Sequence, residues 1–348
     1  MKAKPFDYKK AKEKMKITNP KQLNLKEVDN VLILAPFEVD NMMLCIPAVE
    51  ALKQAVSPIG EITLITSKKA AGIVEGCKSI NKVIAFNTAG AVNAITEIYK
   101  KKYDLMINFT DYKNLSFLFG DLSAAKARVA YARKDASAIL EKVYNLTLHT
   151  IDQPQHRLFN YLNLVRFIGA NTYDFNPKIW IKEEANKYAL EFFGKKGVDC
   201  NKPIVGINPT LKDEKKRWSF NKYSQLVSNL SENDEVQVLV FSHRDEKRML
   251  EEFMHITKGR CIHVDVSDYL KLAAISRYLW CFVCNESDYM HIFAPFTNVI
   301  AIWGESDPDN NKPIGSNHEV LQSVDGSADS VPVSTVLDQV RMNIAAHT

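Results

Sequence analysis

LWCFVCNESDYMHIFAPFTNVIAIWGESDP, residues 279–308, is the stretch from which the fold can be read. An apolar run (279–284), a polar turn (285–288), a short Met-His segment and a second apolar run (298–303) make a strand–turn–helix–strand unit. In open α/β sheets, ligands bind beyond the carboxyl ends of strands, where free N–H groups at helix starts complement anions. Ser287 and His291 therefore mark a candidate phosphate or nucleotide site. Glu286 and Asp288, in the same turn, oppose a simple anion cradle.

Working outward, similar runs recur on both sides of this unit. VLILA (31–35), EITLIT (61–66), KVIAF (82–86), YDLMINF (103–109) and ARVAY (127–131) form a first series. PIVGIN (203–208), EVQVLVF (235–241), CIHV (261–264) and the two runs already quoted form a second. Helical patterns at 42–55, 91–101, 156–168, 221–230, 245–255, 269–277 and 333–346 separate or follow them. Strands alternating with helices specify parallel α/β sheets. Gly169 is a helix stop, and 171–178, with Pro177, reads as a hinge. Two doubly wound halves are expected to place a ligand cleft between them, at the strand carboxyl ends.

Composition narrows the class. With 348 residues, 46% of them apolar and 25% charged, two domains are expected. No apolar run approaches the roughly 18 residues of a membrane span, and the lysine-rich start lacks the apolar segment of a secretory signal. A cytoplasmic protein is expected. The six cysteines are scattered in apolar runs, as suits reduced core thiols. Cys281 and Cys284 form a C-x-x-C, but no second pair stands at zinc spacing, so no metal is expected. Residues 1–26 hold nine lysines against Asp7 and Glu13. One reading of this arm is a solvated tail; the other is a peripheral contact with anionic membrane. Nucleic acid is not expected, because the basic residues lack interleaved aromatics or a known module.

NPTLKDEKKRWSFNKYSQL (208–226) follows the first strand of the second half. Lys216, in a strand-end loop, is suited to neutralising a diphosphate; a solvated charge run is the other reading. Thr210 is either a pocket hydroxyl or a turn cap. Asp268 reads as a helix cap.

These tracts together resemble the ADP-heptose:lipopolysaccharide heptosyltransferases, glycosyltransferase family 9, over roughly 29–325. The opening strand and Ile46-Pro47-Ala48, the tract 103–131, HRLFNYLNLVRFIG (156–169), the Lys216 loop and the quoted stretch follow the family's motifs in order. The resemblance implies a GT-B architecture, α/β, with two Rossmann-like doubly wound domains facing a central cleft. It divides the chain into a basic extension (1–28), an acceptor domain (29–172), a nucleotide-sugar domain (173–325) and a final helix (326–348) crossing back to the first domain.

The implied activity is inverting transfer of heptose from ADP-heptose to a lipopolysaccharide core or related lipid-linked glycan, without a metal or other cofactor. Such a reaction needs a base for the acceptor hydroxyl and cations for the departing diphosphate. The family's Gly-Asp pair, whose aspartate is the base, becomes Asp40-Asn41 here, leaving Asp40 as the candidate base. The lysine that usually precedes the pair is replaced by Ala35, Pro36 or Phe37. Asp-Thr-Gly becomes Glu286-Ser287-Asp288, while Lys216, His291 and Gly304 match. The candidate donor-binding residues are thus Thr210, Lys216, Glu286, Ser287, Asp288 and His291, with Lys216 also catalytic. A catalytically degenerate binding protein and a transferase using another nucleotide sugar stay open as alternatives.

Overall fold

A computed structural model of the protein describes residues 17–87, 90–110, 113–132, 143–149, 154–232 and 235–347. The chain divides into two compact units, Met1–Phe175 and Asn176–Thr348. That boundary lies three residues beyond the one read from the sequence. Most of the basic arm, residues 1–16, lies outside the described residues.

In the first unit, β1 (Asn30–Leu34), β2 (Glu61–Ser67), β3 (Lys82–Phe86), β4 (Leu105–Asn108), β5 (Ala127–Ala132) and β6 (Leu146–His149) form one parallel sheet, ordered 3-2-1-4-5-6. Ile33 of β1 pairs with Leu64 of β2 on one side and Ile107 of β4 on the other. Helices α1 (Val39–Ala55), α2 (Lys68–Ile73), α3 (Ala91–Tyr99), α4 (Lys113–Leu122) and α5 (Arg157–Phe167) complete the unit. Parallel sheets are buried on both faces, so their strands read as continuous apolar runs. Val31, Leu32, Ile33 and Leu34 accordingly have no exposure. Helix α1 starts directly after β1 with Asp40 in its first turn, where an acid complements the helix dipole. It packs along α5.

The second unit repeats the plan with α6 (Glu183–Lys196), β7 (Ile204–Asn208), α7 (Phe220–Leu230), β8 (Gln237–Val240), α8 (Lys247–Ile256) and β9 (Ile262–His263). It continues with α9 (Tyr269–Ser276), β10 (Cys281–Asn285), α10 (Asp288–Phe293), β11 (Asn298–Trp303), β12 (Glu319–Gln322) and α11 (Val333–Ala345). Its sheet runs β12-β11-β10-β7-β8-β9, all parallel, which is the first unit's order repeated. Gly206 in β7 keeps that strand close to its cover: a Cβ there would stand 2.6 Å from Leu279 and 2.9 Å from Phe282.

Two strands, β6 and β12, were not expected. Both are four-residue edge strands with half-exposed or exposed residues, so they lack the apolar run that marks a central strand. The final helix, which the resemblance implied would cross back to the first domain, packs within its own unit. Helix α11 is grouped with the second unit, packs on α7, β10 and β11, and buries Val336, Leu337 and Val340 in that unit's core. Cys281 and Cys284 lie inside β10, where burial pushes their thiols up, Cys281 to about 12. Among the described residues, no helix is long and apolar enough to cross a membrane.

Candidate functional site

In the second sheet the strand order reverses between β7 and β10, and such reversals open a crevice at the strand carboxyl ends. An asparagine ends each of these strands. Asn208 Nδ2 donates to the Phe241 carbonyl (2.8 Å) and to Thr210 Oγ1 (3.3 Å), and Asn285 Nδ2 donates to the Asn208 carbonyl (3.3 Å). Asn285 Oδ1 accepts from the Trp218 N–H (2.8 Å). The two amides thereby tie the ends of β7, β8 and β10 together and anchor the loop that carries Lys216. Asn208 Oδ1 is buried and unpartnered.

Lys216 closes a 3-10 turn, Glu214–Lys216, and its Nζ lies 2.9 Å from Glu286 Oε2. The same oxygen accepts from Ser306 Oγ at 2.7 Å. Loops after β7, β10 and β11 therefore converge on one ion pair. Gly304 permits the approach, because a Cβ there would stand 3.3 Å from the Lys216 Cα. The expected cation is present, but its charge is already matched by Glu286.

Ser287 is the N-cap residue of α10 and makes no side-chain cap bond. Its Oγ is buried with no hydrogen-bond partner of ordinary geometry. The nearby Cys284 thiol responds to it: burial raises that thiol's pKa and Ser287 draws it partly back. Asp288 is the first helical residue, and its Oδ1 points toward His243 Nε2 at 3.8 Å. Thr210 Oγ1, 1% exposed as a residue, donates to Glu246 Oε2 at 2.6 Å. Glu246 also accepts from the His243 N–H at 3.3 Å. His291 is buried with Nε2 3.2 Å from Asn311 Oδ1, and it lines a cavity of about 550 Å³ together with Lys178, Thr297 and His318. The structure thus gathers Lys216 with Glu286 and Thr210 with Glu246, and sets His291 in the wall of that cavity. Asp268 caps α9, accepting from Leu270 N and Lys271 N.

A second cavity of about 490 Å³ opens beyond β8 and β9, lined by Leu250, Met254 and Val264 and by His243, His263 and Asp265. Burial pushes the His263 imidazole below its ordinary value, with Asp265 opposing. Glu246, His243, Asn208 and Asn285 all escaped sequence reasoning. A usable signal existed for the asparagines, since each is a polar residue closing an otherwise apolar strand.

In the first unit the order reverses between β1 and β4. Asp40 lies just past β1, with Oδ2 3.5 Å from Arg157 Nη1 at the start of α5. The segment where the resemblance expects a lysine is instead tied by its backbone: Thr66 Oγ1 donates to the Pro36 carbonyl and Ser67 Oγ to that of Phe37. At the end of β4, Asn108 Nδ2 donates to Ser116 Oγ (2.9 Å), and its Oδ1 accepts from the Thr110 N–H (3.0 Å). Arg157 was not foreseen, because its partner lies 117 positions away in the chain.

The chain matches the profile of Glycosyltransferase family 9 (heptosyltransferase) over residues 92–337. No curated protein matches it significantly. Among solved structures, a glycosyl transferase family 9 protein from Veillonella parvula DSM 2008 superposes with a TM-score of 0.83 at 16% identity, covering 93% of this chain and 99% of that one. E. coli ADP-heptose lps heptosyltransferase II gives 0.78 at 16% identity, covering 91% and 99%. E. coli heptosyltransferase WaaC with ADP gives 0.72 at 15%, covering 90% and 99%. With that profile spanning most of the chain and the repeated Rossmann order matching the GT-B structures, the protein belongs to glycosyltransferase family 9, the heptosyltransferases.

Proposed function

We propose that the protein transfers heptose from ADP-heptose, with inversion, to a lipopolysaccharide core or related lipid-linked surface glycan. The observation that carries this reading is the Lys216–Glu286–Ser306 cluster at the β7–β10 reversal of a family 9 chain. An entering diphosphate competes with Glu286 for Lys216 Nζ. Thr210 and Ser287 offer hydroxyls, Glu286 and Asp288 accept from sugar hydroxyls, and His291 lines the adjoining cavity. The acceptor oxygen attacks the anomeric carbon, the bond to the diphosphate breaks, and Asp40 takes the acceptor's proton. Lys216 offsets the charge gathering on the ADP that leaves. The names of the similar E. coli proteins, one for ADP-heptose and one solved with ADP, support the donor. No metal or other cofactor enters this scheme. The reaction is placed at the cytoplasmic membrane face, with residues 1–26 touching anionic lipid.

Two observations favour a second reading, a family member that binds nucleotide or glycan without transferring. The neutral Asn41 follows Asp40, and Lys216 is already paired.

Thermal shift and calorimetry with ADP and ADP-heptose, followed by an acceptor-dependent assay of ADP release, separate the two. Transfer predicts saturable donor binding and ADP release. Asp40→Ala is expected to lower kcat by about 100-fold or more, and Lys216→Ala to weaken donor binding by about tenfold or more. Binding without release favours the second reading. No response at about millimolar nucleotide sinks the transferase.

A further inference from the structure

Asp288 raises a charge problem at the β7–β10 crevice. Lys216 is balanced by Glu286, so an anion entering the crevice would also meet the Asp288 carboxylate. Among the described residues, the basic group that pairs with it is His243, whose Nε2 stands 3.8 Å from Asp288 Oδ1.

The ring is held in that orientation. It stacks on Tyr289 with centroids 4.5 Å apart and 15° between the planes. Tyr289 is itself fixed, donating its hydroxyl to the Ser242 carbonyl at 3.0 Å and packing on Phe241 and Phe293. His243 also lines the cavity of about 490 Å³ beyond β8 and β9, a volume within the range of small-molecule sites. His243 thus faces Asp288 and also borders a pocket of small-molecule size.

We propose that His243 is the charge-compensating residue of the donor site: it takes up a proton as a nucleoside diphosphate enters the crevice, offsetting Asp288. The proposal rests on the nucleotide-sugar reading above. It adds a residue and a proton to the binding event.

The charged and titratable neighbours leave that role to His243. From α10, Asp288 is a carboxylate, and burial raises the Tyr289 phenol well beyond the physiological range. From its own loop, Asp245 is held below the usual carboxylate range by its hydrogen bond to Lys212, with His243 a smaller cause. Glu246 is engaged by Thr210 and by the His243 N–H. Arg244 and Lys247 border the same cavity as permanent cations, and His263 and Asp265 face it from the end of β9. An imidazole is the side chain whose charge changes near neutrality. A diphosphate arriving beside Asp288 favours the protonated ring.

The test is calorimetric titration of the full-length protein with ADP at about pH 6.5 and pH 8, in buffers of different ionisation heat. Subtracting the His243→Gln titration cancels the ionisation of ADP itself. Wild type is expected to take up a fraction of a proton that His243→Gln does not, and to bind several-fold tighter at the lower pH. Asp288→Asn is expected to bind ADP tighter at the higher pH, because a negative charge beside the entering diphosphate is gone. NMR titration of the unliganded protein supplies a readout without ligand: the His243 midpoint should fall in Asp288→Asn. ADP binding with the same proton uptake in wild type and His243→Gln overturns this proposal and leaves the donor reading standing. An unchanged His243 midpoint in Asp288→Asn also overturns it. Absence of ADP binding in both wild type and Asp288→Asn overturns the two together.

Discussion

Trp218 shows how single residues hold the candidate site. It is fully buried, meets Tyr223 edge-on with centroids 4.8 Å apart, and donates its indole N–H to the Val331 carbonyl at 2.9 Å. Its backbone N–H is taken by Asn285, and Lys216 stands two positions before it. Trp218→Ala is therefore expected to cost about 3–5 kcal/mol in urea unfolding and to weaken ADP binding by loosening the Lys216 loop. Trp218→Phe keeps most of the volume and removes the indole hydrogen bond, at about 1 kcal/mol, while the Val331 carbonyl still accepts from Lys222 Nζ at 3.2 Å. Equal stability of Trp218→Phe and wild type would show that the indole bond contributes nothing. At this scale the sequence identified types better than partners. Lys216 was legible as a cation in a strand-end loop, but its pairing with Glu286 needs a contact across 70 positions. Arg157 beside Asp40 and His243 beside Asp288 were hidden for the same reason.

At the level of elements, the central strands announced themselves because burial on both faces leaves only apolar residues. The edges did not, and β6 and β12 were missed. The junction of β1 and β4 shows a further contribution that patterning cannot reveal. Asp104, just before β4, accepts from the N–H groups of Asp29 and Asn30 at 3.2 and 3.1 Å, and from Lys126 Nζ at 2.9 Å. Partial burial pushes its carboxyl up, but Lys126 and these amides outweigh it and bring the value below the ordinary one. A carboxyl lowered in the folded state adds stability that is complete above the unfolded value, about 3.9, and is lost as pH falls through the folded value. Asp104→Asn is thus expected to lower the urea midpoint at neutral pH and to shrink the midpoint difference between neutral and about pH 3. An equal loss at both pH values would remove the ionised carboxylate from the account.

On the scale of the whole molecule, one strand order occurs twice, each time around its own core. The second unit holds Trp218, Tyr223 and Phe253 together with Val336, Leu337 and Val340 of the last helix. A fragment of residues 176–348 is therefore expected to unfold cooperatively in urea, monitored by circular dichroism. Ending the fragment before 333 should abolish cooperativity, because that helix supplies part of the core; a cooperative truncated fragment would contradict its role. What the sequence determined by itself was the alternation of buried strands and helices, the family, and the chemical kinds of residue at the strand ends. These follow from local periodicity and short motifs, which need no knowledge of distant contacts. Only the tertiary structure decided that Lys216 meets Glu286, that Asp288 faces His243, and that the last helix packs in the second unit. Those outcomes depend on which strand ends become neighbours, and that is set by sheet order across many positions of chain. The turn at 285–288, first legible as an anion site opposed by its own acids, becomes a site whose acids each have a basic partner.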